Sequence, residues 1–393
     1  MTRNIRVYLA LETILAVAGG FILPVYVLYF RYYQISIFEI AILAAVFEGT
    51  VLLAEIPTGM GADRFGRRLS SAIGFIILAV SGLIFLIWRG FTGFLIAEIL
   101  FGIAEAFISG AAEALAVDSL EPEHKDKKLQ GLYIARSRFR IVALTGAMLL
   151  SGWLFVDYMA IAFAPALVGG VVGFVLCFGM SENTVLSESA GESQKPSIFR
   201  PVKLMFDRLK KSSLLLTIFV LALVMNFAFE GADQYWQVLS TEIFDLDIVF
   251  FGLITAAGAV LAFLLVGPIT RRFTGNLSLP LLILFLAGVI ISSLPNAPVL
   301  ILPYLLILYF TCRELINPLF GIAINSAIET EGRATFLSGY NMTCSVGEVA
   351  SGLLVGSLAA TLGIPIVFLV CGAFLVLFVF VSLFFHGSIR ALN

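Results

Sequence analysis

The chain is poor in the residues from which most active sites are built. It has two histidines, His124 and His386, and four cysteines, Cys177, Cys312, Cys344 and Cys371, with no Cys-x-x-Cys spacing. Every cysteine lies inside an apolar run, so none reads as a metal ligand or disulfide partner. The histidines stand at the edges of such runs, with no nucleophile or metal-ligand cluster beside them, and an enzyme is not expected. No Gly-x-x-x-x-Gly-Lys-Ser/Thr loop occurs, and no polar stretch is long enough for an ATP-binding domain. Neither a cofactor nor a metal is expected. Charge is scarce too: 13% of residues are charged and the net charge is −2, which leaves no basis for a nucleic-acid partner.

What fills the chain is hydrocarbon. Hydrophobic residues make up 60% of it, and the mean hydropathy is +1.04. A water-facing surface cannot be built from so little charge, so the solvent for this protein is a lipid bilayer. The apolar runs are continuous rather than alternating, which excludes a β-barrel and predicts an all-α membrane protein. Twelve spans are predicted, near residues 6–30, 36–58, 69–88, 91–117, 131–153, 158–180, 213–240, 247–269, 277–294, 298–328, 334–360 and 364–386. The first follows Arg3 and Arg6 as a signal peptide would, but it is too long for one and reads as a retained helix.

Basic residues set the orientation. With the N-terminus inside, Arg3, Arg6, Arg64, Arg67, Arg68, Lys125, Lys127 and Lys128 fall on the inner side. So do the basic residues between Lys195 and Lys211, then Arg271, Arg272, Arg333 and Arg390. Only Arg31 and Arg89 fall outside, so both termini are expected in the cytoplasm of a cell membrane. The longest polar segment, 181–212, separates six spans in 1–180 from six in 213–393. Within it Val202, Met205, Phe206 and Leu209 oppose Lys203, Asp207, Arg208 and Lys210, the pattern of an amphipathic helix on the inner leaflet.

The stretch from Glu55 to Arg68 reads as a charged turn between spans 2 and 3. A fainter copy, Gly267-Pro-Ile-Thr-Arg271-Arg272, follows span 8, as duplication of a six-helix unit predicts. Gly59-Met-Gly-Ala-Asp63-Arg64-Phe-Gly66-Arg67-Arg68 resembles the loop signature of the major facilitator superfamily, Gly-x-x-x-Asp-x-x-Gly-Arg-Arg/Lys. The resemblance implies two pseudo-symmetric six-helix bundles around a central cavity, usually in a monomer. It also implies a conformational switch in which Asp63 meets the N-terminus of helix 11, near Arg333–Ser338, and Arg67, beside Arg68, meets Asp118. The drug-export branch of that family has a Gly-Pro motif in helix 5 and Pro-x-x-Pro in helix 1. Here helix 5 has Gly146 and Gly152 without a proline, and Val27 stands where the second proline of helix 1 would be. These departures bear on drug–proton antiport rather than on transport.

Charges inside the spans are the other signal, because each costs roughly 2.5–3.5 kcal/mol at a helix centre. In span 4, Glu98, Gly102, Glu105, Ser109 and Glu113 form one stripe, which lipid cannot face. Glu12, Glu48 and Glu55 in spans 1 and 2, with Arg136, Arg138 and Arg140 in span 5, predict a paired network. Glu12, Glu55, Glu98, Glu113, Arg136 and Arg140 are its expected buried ion pairs. In span 7, Asn226, Glu230, Asp233 and Gln237 share a face, with Tyr235 and Trp236 adjoining. Arg313 and Asn317 in span 10, and Asn341 and Glu348 in span 11, complete an expected substrate site in which Arg313 pairs with Glu348 or Glu230. Glu48, Glu105 and Glu230 are the expected proton-coupling acids. Gly19, Gly20, Gly49, Gly110, Gly146 and Gly352 are expected at close helix crossings.

The function these readings favour is secondary active transport by alternating access: proton-coupled export of a small amphipathic or drug-like solute. Proton-coupled uptake of an anionic or zwitterionic metabolite is the alternative. A non-transporting membrane sensor or scaffold is the alternative of another class. The partners expected are a small-molecule substrate, protons and the lipid bilayer.

Overall fold

The computed structural model describes residues 2–120, 125–181, 209–210, 212–273, 277–327 and 333–390. Within the helices, the side chains of Asp63, Arg64 and Asp118, among others, lie outside the described set, as does most of the expected amphipathic helix at 202–211. Among the described residues there is no strand. The helices are α1 (Arg3–Ile22), α2 (Tyr26–Tyr32), α3 (Ile37–Phe65), α4 (Arg67–Ile87), α5 (Phe91–Asp118), α6 (Lys125–Tyr158) and α7 (Ala164–Cys177). After the central segment come α8 (Ser213–Val238), α9 (Val249–Arg272), α10 (Ser278–Ser293), α11 (Leu302–Ala327), α12 (Arg333–Leu362) and α13 (Ile364–Arg390).

Eleven of the described helical segments are long and apolar enough to cross a bilayer, and α7, with 14 residues, is the short twelfth. Its predicted span began at 158, but a 3-10 turn at Met159–Ile161 and Pro165 delay the helix to Ala164. The first span is likewise two helices. Pro24 interrupts it with a 3-10 turn, Leu23–Val25, between α1 and α2. Large apolar side chains lie bare on the outside of the helices: Leu53 is 78% exposed, Val142 75% and Trp153 71%. Faces of that kind belong against acyl chains.

The stretch 55–68 is not the turn its charges and glycines predict. Pro57 is carried inside α3, which continues to Phe65, and Gly66 alone joins it to α4. Gly66 has φ +97°, a conformation closed to most other residues. Gly363, with φ +88°, makes the same one-residue joint between α12 and α13.

The chain forms two compact units, Met1–Ser193 with Asp247–Ala256, and Gln194–Leu246 with Ala257–Asn393. In the first, α1 packs on α6 and α7, α4 on α5 and α7, and α3 on α5. In the second, α8 packs on α12 and α13, and α10 on α11 and α13. Counted in spans, four of these five pairings recur six places on, as duplication of a six-helix unit predicts, while the α3–α5 pairing is not matched by one of α9 on α11. Backbones approach closely where glycine stands. A Cβ on Gly82 of α4 would lie 2.5 Å from the Leu167 nitrogen of α7, and one on Gly20 of α1 2.6 Å from the Leu144 carbonyl of α6. Of the other glycines expected at crossings, Gly19, Gly49 and Gly146 have open space instead.

Candidate functional site

Each unit carries a cluster of charge. In the first, Arg136 of α6 donates from Nε to Glu12 Oε2 of α1, 2.8 Å away, and from Nη1 to Glu113 Oε2 of α5, 3.0 Å away. Its guanidinium also stands 5.9 Å from the centre of the Tyr8 ring, whose hydroxyl donates to Glu113 at 3.5 Å. One cation thus ties three helices. Glu12 is 13% exposed and Arg136 27%, so the pair is largely desolvated and depends on its hydrogen bonds for stability.

Three expected members of this network stand apart from it. Glu55 is exposed on α3 and forms no ion pair among the described residues. Arg140 is exposed and touches no carboxylate among the described residues; Glu105, also exposed, is near enough to feel the charges of Arg140 and Glu12. Glu98 is 1% exposed and meets no base: Tyr26 of α2 donates its hydroxyl to Glu98 Oε1 at 2.7 Å. Glu48 is half-buried on α3.

In the second unit, Asn226, Glu230 and Asp233 lie along one face of α8, at i, i+4 and i+7. Tyr309, Arg313 and Asn317, each four residues from the last, form the answering face of α11. Arg313 pairs with Asp233 rather than with Glu230 or Glu348. Tyr309 donates to the other oxygen of Asp233 at 2.5 Å, so both carboxylate oxygens are satisfied. Gln234 donates to Glu230 at 3.2 Å, and Arg313 lies 3.6 Å from its neighbour Glu314. Asn226, Phe229, Glu230, Arg313, Asn317 and Glu348 wall a cavity of about 90 Å³. It is polar, with Phe229 as its aromatic wall.

Asp233 lies behind this cavity as the partner of Arg313. Tyr235 and Trp236, expected to flank a substrate, do not line it. Two residues along a helix is about 200° of rotation, so Tyr235 leaves the Asp233 face and is fully buried. Trp236 is 2% exposed and packs edge-on to Phe310 at 5.2 Å. Asn341 is exposed on α12, outside the cavity wall. Of the expected switch residues, Arg67 is half-buried and Arg68 exposed at the start of α4. Asp63 and Asp118 have side chains outside the described residues, as do 333–335 and 337–338.

The sequence reading missed the tyrosines Tyr8, Tyr26 and Tyr309, and also Phe229. A signal for two of them was there. Tyr8 precedes Glu12 by four residues, and Tyr309 precedes Arg313 by four, so each shares a helix face with a buried charge.

Residues 9–350 match the Major Facilitator Superfamily. The chain belongs to that superfamily. An uncharacterized MFS-type transporter of Bacillus subtilis (strain 168), YxaM, is 21% identical to this superfamily member over 381 residues, covering 94% of this chain and 93% of the relative. Among solved structures, the nucleoside transporter NupG superposes with a TM-score of 0.77 at 12% identity, covering 98% of each chain. A POT family transporter in complex with 5-aminolevulinic acid has a TM-score of 0.75 at 13% identity, over 99% of this chain and 97% of that one. The human organic anion transporter TETRAN has a TM-score of 0.66 at 17% identity, over 97% and 99%. At these identities the likeness is one of fold: this chain is an all-helical, multi-pass membrane protein with the fold of major facilitator transporters.

Proposed function

We propose that this transporter works by alternating access and exports a small amphipathic, drug-like solute in exchange for protons, with both of its termini in the cytoplasm. The observation that carries the reading is the cavity in the second unit. Its wall holds two carboxylates, Glu230 and Glu348, and one guanidinium, and Arg313 is already matched by Asp233. Carboxylates outnumber guanidinium groups on that wall, which favours a solute with a positive charge, and Phe229 offers an apolar face to the rest of it. Asn226 and Asn317 add hydrogen-bonding groups. Glu230, with Glu48 and Glu105 in the first unit, supplies carboxylates that exchange protons as their surroundings change. Proteoliposomes with an imposed pH gradient, loaded with solutes found by growth protection in a pump-deficient host, test this. Solute movement that ignores the gradient removes proton coupling, and no movement of any solute leaves the sensor or scaffold reading.

Proton-coupled uptake of a zwitterionic metabolite is the second reading. It is favoured by Arg313, which is 35% exposed despite its ion pair and so has donors left for a carboxylate. Opposite signs of the solute flux under one gradient separate the two.

A further inference from the structure

Glu98 lies in α5 with its side chain sealed in the first unit, and nothing in the charge network of Arg136 reaches it. One carboxyl oxygen accepts from Tyr26 at 2.7 Å, and the other, Oε2, is buried with no hydrogen-bond partner among the described residues. The ionisable groups on the neighbouring elements include Tyr8 and Glu12 on α1, Tyr29 on α2, Tyr33 just after it, Glu48 on α3, Arg89 after α4, and Glu105 and Glu113 along α5. None hydrogen-bonds or ion-pairs with Glu98; Tyr26 alone does. Close by on α5, Phe94 belongs to an aromatic cluster with Tyr29, Phe30, Phe85 and Phe163, in which Phe85 and Phe163 stack at 3.8 Å.

A bare carboxylate with a partnerless oxygen in such a place would cost far more than the fold can supply, and such a group takes up a proton instead. Tyr26 is half-buried where Glu98 is sealed, and it stands just after the Pro24 interruption. Its own ring leans on Phe30, with centroids 5.0 Å apart.

We propose that Glu98 is a proton-binding site of the first unit, and that Tyr26 is the cap that controls its exchange with solvent. This rests on the proton-coupled reading above and deepens it. It places a proton at a carboxyl remote in sequence from the solute cavity of the second unit, one that no solute needs to touch.

Infrared spectroscopy of the purified full-length chain tests both parts. The difference between wild type and E98Q at pH 7 is expected to contain the carbonyl stretch of a protonated carboxylic acid. A difference holding only ionised-carboxylate bands overturns the site. In Y26F the same band is expected to move to higher frequency, because the carboxyl loses its hydrogen bond. That shift assigns the band even if E98Q fails to fold, and an unmoved band overturns the assignment. On transfer to D₂O, the carboxyl proton of Y26F is expected to exchange at least about tenfold faster than in wild type, as loss of a closing contact worth about 1.4 kcal/mol gives. Equal exchange rates overturn the cap. No solute enters these measurements. An ionised Glu98 therefore leaves transport through other acids standing, and a failed transport assay leaves the site standing.

Discussion

Asp233 of α8 and Arg313 of α11 form an ion pair inside the second unit, in which the Arg313 Nε–H donates to Asp233 Oδ2. Asp233 takes its other hydrogen bond from Tyr309, so the aspartate is held from two sides while the arginine keeps a face on the cavity. Removing either partner strands the other in a poorly solvated place. D233A and R313A are each expected to lower stability by about 2 kcal/mol, less than for a fully buried pair because Arg313 is 35% exposed. Thermal unfolding in detergent measures this, and the double variant is expected to lose clearly less than the two singles together.

Arg136 joins acids from two other helices, whereas Arg313 joins one, Asp233, besides its own chain neighbour Glu314. R136A removes the cation that Glu12 and Glu113 share, and a loss of about 3 kcal/mol is expected. E113Q keeps a hydrogen-bond acceptor and is expected to lose about 1 kcal/mol. R136K is expected to resemble R136A, because the two acids are met by different nitrogens of one fork, and an ammonium cannot span them. Equal melting temperatures for R136A and E113Q would contradict this.

Glycine by glycine, substitutions should differ in sign. G82A drives a methyl into the Leu167 backbone of α7, and a loss of about 1–3 kcal/mol is expected. G146A adds its methyl to open space in the middle of α6, and a gain of up to about 1 kcal/mol is expected from helix propensity. Melting temperatures of the two variants, measured side by side, check the contrast.

Proton coupling has a direct genetic test. E48Q, E105Q and E230Q each keep shape and hydrogen bonding while removing the titratable group. At least one is expected to keep solute exchange at equal pH while losing most of the accumulation driven by a pH gradient. Full coupling in all three proteoliposome preparations would dismiss these acids as the carriers.

The membrane fold was legible because it rests on the crudest signal a chain can carry. A run of about 20 apolar residues has few other uses, and an acid every second turn along span 4 marks a face that lipid cannot cover. Arg136 could be read the same way, because a guanidinium inside a bilayer must have a partner. What stayed hidden were the neutral partners. Tyr8, Tyr26 and Tyr309 sit in apolar runs where a tyrosine looks like any aromatic, and their hydroxyls acquire a role only when another helix brings a carboxyl within reach. Glu98 looked like Glu113 from the sequence, since both lie on one stripe of α5, yet one meets an arginine and the other a phenol. Helix ends were misjudged where glycines invited a loop, as between Glu55 and Arg68, because a glycine can also end one helix and start another with nothing in between.

That economy at Gly66 and Gly363 has a mechanical meaning. A long connection acts as a slack rope and lets one rod travel without its neighbour; a connection of one residue acts as a knuckle. Any tilt of α3 must therefore be handed to α4, and any tilt of α12 to α13, so that each pair swings as one lever.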